Sequence, residues 1–144
     1  MQAYNPYLPS YEYVPDGEPR VFGDRLYIYG SHDKFNGKTY CENDYVCWSC
    51  DVNDRGNWKY EGVMYRKEQD PGFKGEMQLF APDVVRGVDG RYYLYYVLNG
   101  LNAVSVAVAE KPNGPLRFTD TSKNKTVLFT AQKKAKNTYS TLRC

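Results

Sequence analysis

Residues 89–96, DGRYYLYY, decide the fold of this chain because they join a tight turn to an aromatic strand. The Asp-Gly pair is a turn signal, and a run of tyrosines has the aromatic composition that strands favour. Residues 23–29, GDRLYIY, carry a related turn, arginine and aromatic strand. Aligning Arg25 with Arg91 places the two stretches 66 residues apart. The sequence therefore contains a repeat with a unit of that length.

Eight strands are predicted around these stretches, with Gly, Asn and Asp in nearly every connection. They form two sets of four, near residues 18–22, 25–30, 44–50 and 58–63, then near residues 83–87, 91–97, 103–109 and 115–118. No segment shows sustained helical periodicity, which disfavours α/β architectures. The pattern predicts an all-β fold made of two four-stranded blades of a β-propeller, an architecture that closes with about 4 to 8 blades.

The length of 144 residues and the composition, with 42% hydrophobic and 16% aromatic residues, are those of one folded β-rich domain. The charge is uneven. Residues 1–110 hold 11 Lys or Arg against 16 Asp or Glu, whereas residues 111–144 hold 8 against one. We predict an incomplete propeller domain over residues 1–120 and a basic, divergent tail over residues 121–144.

Neither charge nor hydropathy indicates a nucleic-acid or membrane partner. The basic residues of the tail are not interleaved with a recognisable nucleic-acid-binding module. No segment approaches the roughly 18 apolar residues of a membrane-spanning helix, and no signal-peptide pattern opens the chain. We therefore expect a cytoplasmic protein that binds neither nucleic acid nor membrane.

The cysteines and the histidine do not indicate a metal or redox centre. Cys47 and Cys50 have the spacing of a redox or metal pair, but residues three apart on a strand point to opposite faces. His32 is the only histidine, so it cannot form a histidine cluster. We predict free thiols and no cofactor.

Two segments place a carboxylate beside a proline close to the start of a predicted strand: residues 15–19, PDGEP, and residues 80–83, FAPD. The innermost strands of successive blades line one channel, so acids at equivalent points of the repeat converge there. Proline fixes an extended backbone at such positions. Asp and Pro are also ordinary turn residues. Their repetition at equivalent points favours acid/base chemistry on a sugar.

Four fragments resemble the N-terminal part of glycoside hydrolase family 43, which contains β-xylosidases and α-L-arabinofuranosidases. They are residues 5–9 (NPYLP), 18–22 (EPRVF), 29–33 (YGSHD) and 80–84 (FAPDV). The likeness runs from about residue 5 to about residue 119. It implies a five-bladed propeller, of which this chain would hold about two blades. It also implies hydrolysis of pentose-containing oligosaccharides with inversion.

The resemblance implies three carboxylates from three successive blades. The first is the general base that activates water, the second is an Asp that tunes the pKa of the general acid and orients it, and the third is a Glu that protonates the leaving oxygen. Asp83 matches the second. At the base position the family usually has Asp before Pro, whereas this chain has Glu18 before Pro19 and Asp16 two residues earlier. The base is therefore either Glu18 or Asp16.

Substrate contacts are expected beside these carboxylates. His32 and Asp33 follow the second strand and could line the pocket, with His32 as a hydrogen-bond donor to sugar. The rings of Phe35 and Phe80 could stack on a pentose.

The third carboxylate has no match, because no Glu occurs after Glu110 and the sequence departs from the family pattern after residue 120. We therefore expect a truncated or frame-altered chain that is weakly active or inactive alone. Open sheet edges and faces predict homo-oligomerisation. A non-catalytic carbohydrate-binding or self-assembling β module is the alternative, and a remnant of a degraded gene is a third possibility.

Overall fold

The structure, a computed structural model, describes residues 6–122. The strands in that range are β1 (Glu18–Phe22), β2 (Arg25–Gly30), β3 (Tyr45–Asp51), β4 (Asp54–Tyr65), β5 (Leu79–Arg86), β6 (Tyr92–Leu98), β7 (Val104–Ala109) and β8 (Arg117–Ser122). A single-turn 3-10 helix, Lys67–Gln69, lies between β4 and β5. The predicted all-β class is confirmed, and most of the predicted basic tail lies outside the described residues.

The eight strands form two four-stranded antiparallel sheets, each with its strands in sequence order. The first sheet is β1-β2-β3-β4 and the second is β5-β6-β7-β8. Glu18 is paired with Tyr29 in the first sheet, and Asp83 is paired with Tyr95 in the second. Because Tyr29 and Tyr95 are 66 residues apart, the two predicted acids occupy equivalent places in the repeat.

Glycine shapes the two hairpins that begin each sheet. Gly23, between β1 and β2, has a φ of 64°, and Gly90, between β5 and β6, has a φ of 83°. Both values lie in the left-handed region, which glycine adopts without steric cost. The turns recognised in the sequence therefore fold each inner strand back onto its neighbour.

The core lies between the two sheets. Along β6, Leu94, Tyr96 and Leu98 are buried, whereas Tyr93 and the other alternate residues are only half-buried. Alternation along a strand places these two groups on opposite faces of the sheet. The buried face of β6 joins a cluster that includes Tyr29, Tyr45 and Tyr65 of the first sheet.

Buried tyrosines donate hydrogen bonds across the boundary between the sheets. The Tyr29 hydroxyl donates to the carbonyl of Pro112 at 2.7 Å, and the Tyr45 hydroxyl donates to the carbonyl of Phe80 at 2.8 Å. A buried hydroxyl without a partner would destabilise the fold by about 1–3 kcal/mol, so these partners matter for packing. The contacts fix where one sheet lies against the other.

A third cross-sheet contact is a chain of buried hydrogen bonds that ends on Asp70. The hydroxyls of Tyr65 and Tyr96 are 2.6 Å apart, and Tyr96 donates to Asp70 at 2.6 Å. Since the Tyr96 proton lies toward Asp70, Tyr65 is the donor to Tyr96. Burial raises the pKa of Tyr65 to about 12, which keeps its hydroxyl protonated at neutral pH. The backbone N–H of Gly72 also donates to Asp70, which anchors the segment between β4 and β5 in the core.

The three cysteines in the described part of the chain, Cys41, Cys47 and Cys50, are buried and free. Burial raises the pKa of each thiol. The prediction of free thiols is confirmed for these three. No helix within residues 6–122 is long and apolar enough to cross a membrane.

The buried chain of hydrogen bonds predicts an asymmetry between two tyrosines of β6. Tyr96→Phe removes a donor from Asp70 and an acceptor from Tyr65, so we expect the free energy of unfolding to fall by about 1–3 kcal/mol. Tyr93→Phe, which removes an exposed hydroxyl bonded to Asp89, should change it by less than about 0.5 kcal/mol. Urea unfolding followed by tryptophan fluorescence measures both. Equal effects would contradict this role of Tyr96.

Candidate active site

The inner strands of the two sheets meet at their boundary, where β5 contacts both β1 and β2. Glu18 is the first residue of β1, and Asp83 lies in the middle of β5. The fold thus brings together two carboxylates that are 65 residues apart in the chain.

Arg20 connects these carboxylates. Its guanidinium donates two hydrogen bonds to the Asp83 carboxylate, at 2.9 and 2.7 Å. The same guanidinium lies 4.0 Å from the carboxylate of Glu18. The side chains of Arg20, Glu18 and Asp83 are 37%, 51% and 38% exposed, so the group stands at the protein surface.

The paired hydrogen bonds give Asp83 a defined orientation. Arg presents its N–H groups in a planar fork that matches a carboxylate, and this geometry restricts both side chains. All three charged groups are more than a third exposed, so water screens their attraction and the gain in stability is small. The contact therefore matters mainly for where Asp83 points.

A β-bulge in β5 also directs Asp83. The pairing with β6 shifts between Phe80 and Asp83, and Ala81 has a φ of 36°. The Ala81 N–H donates to the hydroxyl of Ser31, a buried residue just beyond β2, at 3.0 Å. Bulges commonly change the direction of a functional side chain. The first sheet thus supports the backbone that carries Asp83.

Asp16 stands apart from the β1 ladder. It is exposed, lies in the turn that precedes β1 and has a φ of 53°. Burial raises the pKa of Tyr45 well above its usual value, and the nearby carboxylate of Asp16 adds a smaller contribution. Asp16 is therefore close enough to Tyr45 to act on it electrostatically.

His32 contacts the N-terminal arm of the described chain. Its Nε2 lies 3.7 Å from a carboxylate oxygen of Glu12, and the Trp48 indole N–H donates to the same oxygen at 2.9 Å. The sequence gave no motif that singled out Glu12. These contacts place His32 on the first sheet beside Trp48, and its predicted role as a sugar donor stays a prediction.

Asp33 organises the loop between β2 and β3. Its carboxylate accepts the Cys41 N–H at 2.6 Å, its carbonyl accepts the Asn43 amide at 2.9 Å, and its N–H donates to Tyr13. One carboxylate oxygen of Asp33 is thus engaged in loop structure. A contact between Asp33 and a substrate stays a prediction.

Each of the two phenylalanines predicted to stack on sugar lies against an exposed tyrosine. Phe35 is 71% exposed and stacks on Tyr13, with ring centroids 6.1 Å apart. Phe80 is half-buried and its centroid lies 5.6 Å from that of Tyr40, which is 63% exposed. The site therefore has aromatic surface near its carboxylates.

The side chains at this boundary offer acid/base chemistry. Within residues 6–122, no three His, Cys, Asp or Glu side chains form a group that could hold a metal ion. Two antiparallel blades with carboxylates on neighbouring inner strands define this part of the chain as a partial β-propeller with a polar site at its inner edge.

Comparison with known proteins identifies relatives of this chain. A xylosidase/arabinosidase of Thermoclostridium stercorarium is 61% identical over 118 residues, which are 81% of this chain and 25% of that protein. The β-xylosidase RS223 superposes with a TM-score of 0.66 at 32% identity, over 78% of this chain and 37% of that one. CoXyl43, a family 43 β-xylosidase/α-arabinofuranosidase from a compost metagenome, superposes with a TM-score of 0.65 at 28% identity, over 80% and 37%. No family model matches the chain.

Over about four fifths of its length, the chain belongs to glycoside hydrolase family 43. It spans a quarter of the length of the Thermoclostridium relative and just over a third of the two solved structures. The resemblance and the partial propeller are confirmed. The roles assigned to Glu18, Asp16 and Asp83 stay predictions.

The contact between Arg20 and Asp83 predicts a measurable coupling. In a double-mutant cycle of Arg20→Met and Asp83→Asn, we expect a coupling energy of about 0.5–1 kcal/mol, because the pair is well oriented but partly exposed. Salt at about 1 M should weaken it, since the screening length falls to about 3 Å. Urea unfolding of the four proteins gives the value.

Arg86→Met is the matched control for this cycle. Arg86 lies on the same strand as Asp83, and its guanidinium faces the carbonyl of Gly90. Its coupling to Asp83→Asn should be close to zero. Equal coupling of Asp83 to both arginines would contradict a specific cross-sheet contact.

Proposed function

We propose that this chain forms part of a glycosidase that hydrolyses xylose- and arabinose-containing oligosaccharides with inversion. The observation that carries the proposal is the contact of one guanidinium, that of Arg20, with the predicted base Glu18 and the predicted pKa-tuning Asp83. The names of the relatives support the substrate class. The CoXyl43 structure is described as a complex with xylotriose, and a family 43 enzyme of Xanthomonas citri as a complex with xylose.

Glu18 is the better candidate for the general base. A base must be held within hydrogen-bond reach of the water from which it takes a proton. Glu18 belongs to the β1 ladder, paired with Tyr29, and lies beside Arg20. Asp16 lies in the turn outside the ladder. Strand pairing restricts the direction of Glu18 more than the turn restricts Asp16.

Asp83 acts by charge and orientation rather than by proton transfer. Arg20 donates two hydrogen bonds to the Asp83 carboxylate, which occupies lone pairs that would otherwise accept a proton. A negative charge fixed there favours the protonated form of a neighbouring general acid. That effect is what the pKa-tuning role requires.

The general acid comes from outside these two blades in this proposal. Inverting glycosidases separate acid and base by roughly 6.5–9.5 Å to admit a water molecule, a gap that a further blade can supply. In this chain Asp120 is the only acidic residue after Glu110. We infer that the 144-residue chain by itself hydrolyses ordinary glycosides weakly or not at all.

Substrates that differ only in leaving group test the proposal. Dinitrophenolate leaves without a proton, whereas the methoxy group must be protonated as it departs. The chain should therefore hydrolyse dinitrophenyl β-xyloside measurably and methyl β-xyloside at the background rate. Nuclear magnetic resonance should show α-xylose as the first product, since the mechanism inverts. Efficient hydrolysis of the methyl glycoside would contradict the missing acid.

Three variants separate the roles in the same assay. Glu18→Gln should lower the rate on the dinitrophenyl substrate by about 100-fold or more, because the base is still needed. Asp83→Asn should lower it less, since no general acid has to be tuned. Asp16→Asn is the control and should leave the rate unchanged. Loss of activity in Asp16→Asn with activity kept in Glu18→Gln would reassign the base.

A self-assembling β module is the second candidate, and one surface favours it. The face of the second sheet opposite the core carries Tyr93, Tyr95 and Val97, which are half-buried rather than buried. A broad aromatic face of this kind commonly marks an interaction site. We infer that it pairs with another copy of the chain when no further blade covers it.

The self-assembly candidate predicts a concentration-dependent mass. Light scattering should show dimers or larger species of the 144-residue chain, and Tyr95→Lys should shift them toward monomer. Val88→Lys, at a 73% exposed position in the turn between β5 and β6, is the control and should not. A monomer at all concentrations would contradict this candidate.

A further inference from the structure

A cleft of about 560 Å³ lies outside the carboxylate group already described. One wall is the loop between β2 and β3, and the other is the segment between β4 and β5. Small-molecule sites commonly have volumes of about 300–1,000 Å³, so the cleft is large enough for a ligand.

The cleft opens at the end of the sheets that carries Glu18. Strand β2 is antiparallel to β1, so the loop after β2 begins where β1 begins, next to Glu18. The segment before β5 leads directly toward Asp83. Within the loop, the N–H of Asn43, a lining residue, donates to the carbonyl of His32. A ligand that extends away from the carboxylates therefore meets the cleft.

The lining of the cleft suits a neutral, polyhydroxylated ligand. It contains three lysines and three glutamates, which balance in charge: Lys34, Lys38, Lys67, Glu42, Glu68 and Glu76. The amides of Asn36 and Gln78 add groups that both donate and accept hydrogen bonds. Phe73 and Met77 add apolar surface for the C–H faces of a sugar ring. A phosphate or other polyanion would meet as many acids as bases there.

An aromatic pair connects the cleft to the carboxylates. Tyr40 follows Thr39, which lines the cleft, and its ring lies against that of Phe80, three residues before Asp83. Tyr40 is 63% exposed, so one face of its ring is open to a ligand. Aromatic rings in this position offer a flat surface for the apolar face of a sugar.

We propose that this cleft binds the second and third sugar residues of an oligosaccharide whose terminal residue lies at Glu18 and Asp83, with Tyr40 as the stacking surface between them. The proposal rests on the proposed function for its substrate class. It makes the chain selective for oligosaccharides over single sugars.

Calorimetric titration of the 144-residue chain with xylose and with xylotriose tests this. We expect xylotriose to bind about tenfold more tightly than xylose, which corresponds to about 1.4 kcal/mol. Tyr40→Ala should remove most of that difference and leave xylose affinity unchanged. Lys38→Met should lower xylotriose affinity several-fold, also without an effect on xylose.

The controls match each substitution in chemistry and exposure. Tyr11→Ala removes a tyrosine that is 69% exposed on the N-terminal arm, and Lys74→Met removes an exposed lysine beside the cleft that does not line it. Both should bind xylotriose like the unaltered chain. Circular dichroism verifies that every variant is folded.

The possible outcomes separate this inference from the proposed function. Equal affinities for xylose and xylotriose, or equal effects of Tyr40→Ala on both sugars, overturn the cleft. A folded chain that binds neither sugar overturns it as well. Tyr40-dependent binding of xylotriose without hydrolysis of dinitrophenyl xyloside supports the cleft and contradicts the proposed catalytic role.

Discussion

The structure depends on satisfying the tyrosine hydroxyls that are buried between its two sheets. Tyr29 and Tyr45 donate to backbone carbonyls of the second half of the chain, and Tyr65 and Tyr96 form a chain that ends on Asp70. An aromatic core of this kind combines a large buried apolar area with a few directional contacts. Those contacts allow one placement of the sheets, because a shift would leave hydroxyls without partners in a site closed to water.

The geometry of the carboxylate group follows from that placement. The hydroxyl of Tyr45 and the hydroxyl of Ser31 both contact the backbone around the bulge of β5, at Phe80 and Ala81. The bulge turns the strand that carries Asp83, and Arg20 of the first sheet then meets its carboxylate. Residues of the first sheet thus determine the direction of an acid in the second. The site is a property of the interface between blades rather than of either blade.

Much of the fold could be predicted because the repeat is visible in the sequence. The predicted strands at residues 18–22 and 25–30 have the bounds of β1 and β2, and the turn glycines have the expected left-handed backbone. The start of β5 was placed at residue 83 because Pro82 suggested a break. It begins at Leu79, since a bulge tolerates the proline.

The outer strand was harder to predict for a different reason. The first half of β4, from Asp54, is mostly exposed, so it has no alternating hydrophobic pattern to reveal it. The site was predictable only where repeat symmetry applied, at Glu18 and Asp83. Arg20 and Glu12 were missed because their partners are 63 and 36 residues away, and no local motif records such contacts.

The most direct test of the account is a crystal structure of the chain grown with xylotriose. The account predicts a terminal sugar ring within hydrogen-bond distance of Glu18 and Asp83, with Arg20 still paired to Asp83 and the remaining rings directed past Tyr40. A sugar bound away from the boundary between the two sheets, or a structure in which Glu18 and Asp83 lie on separate surfaces, would contradict it.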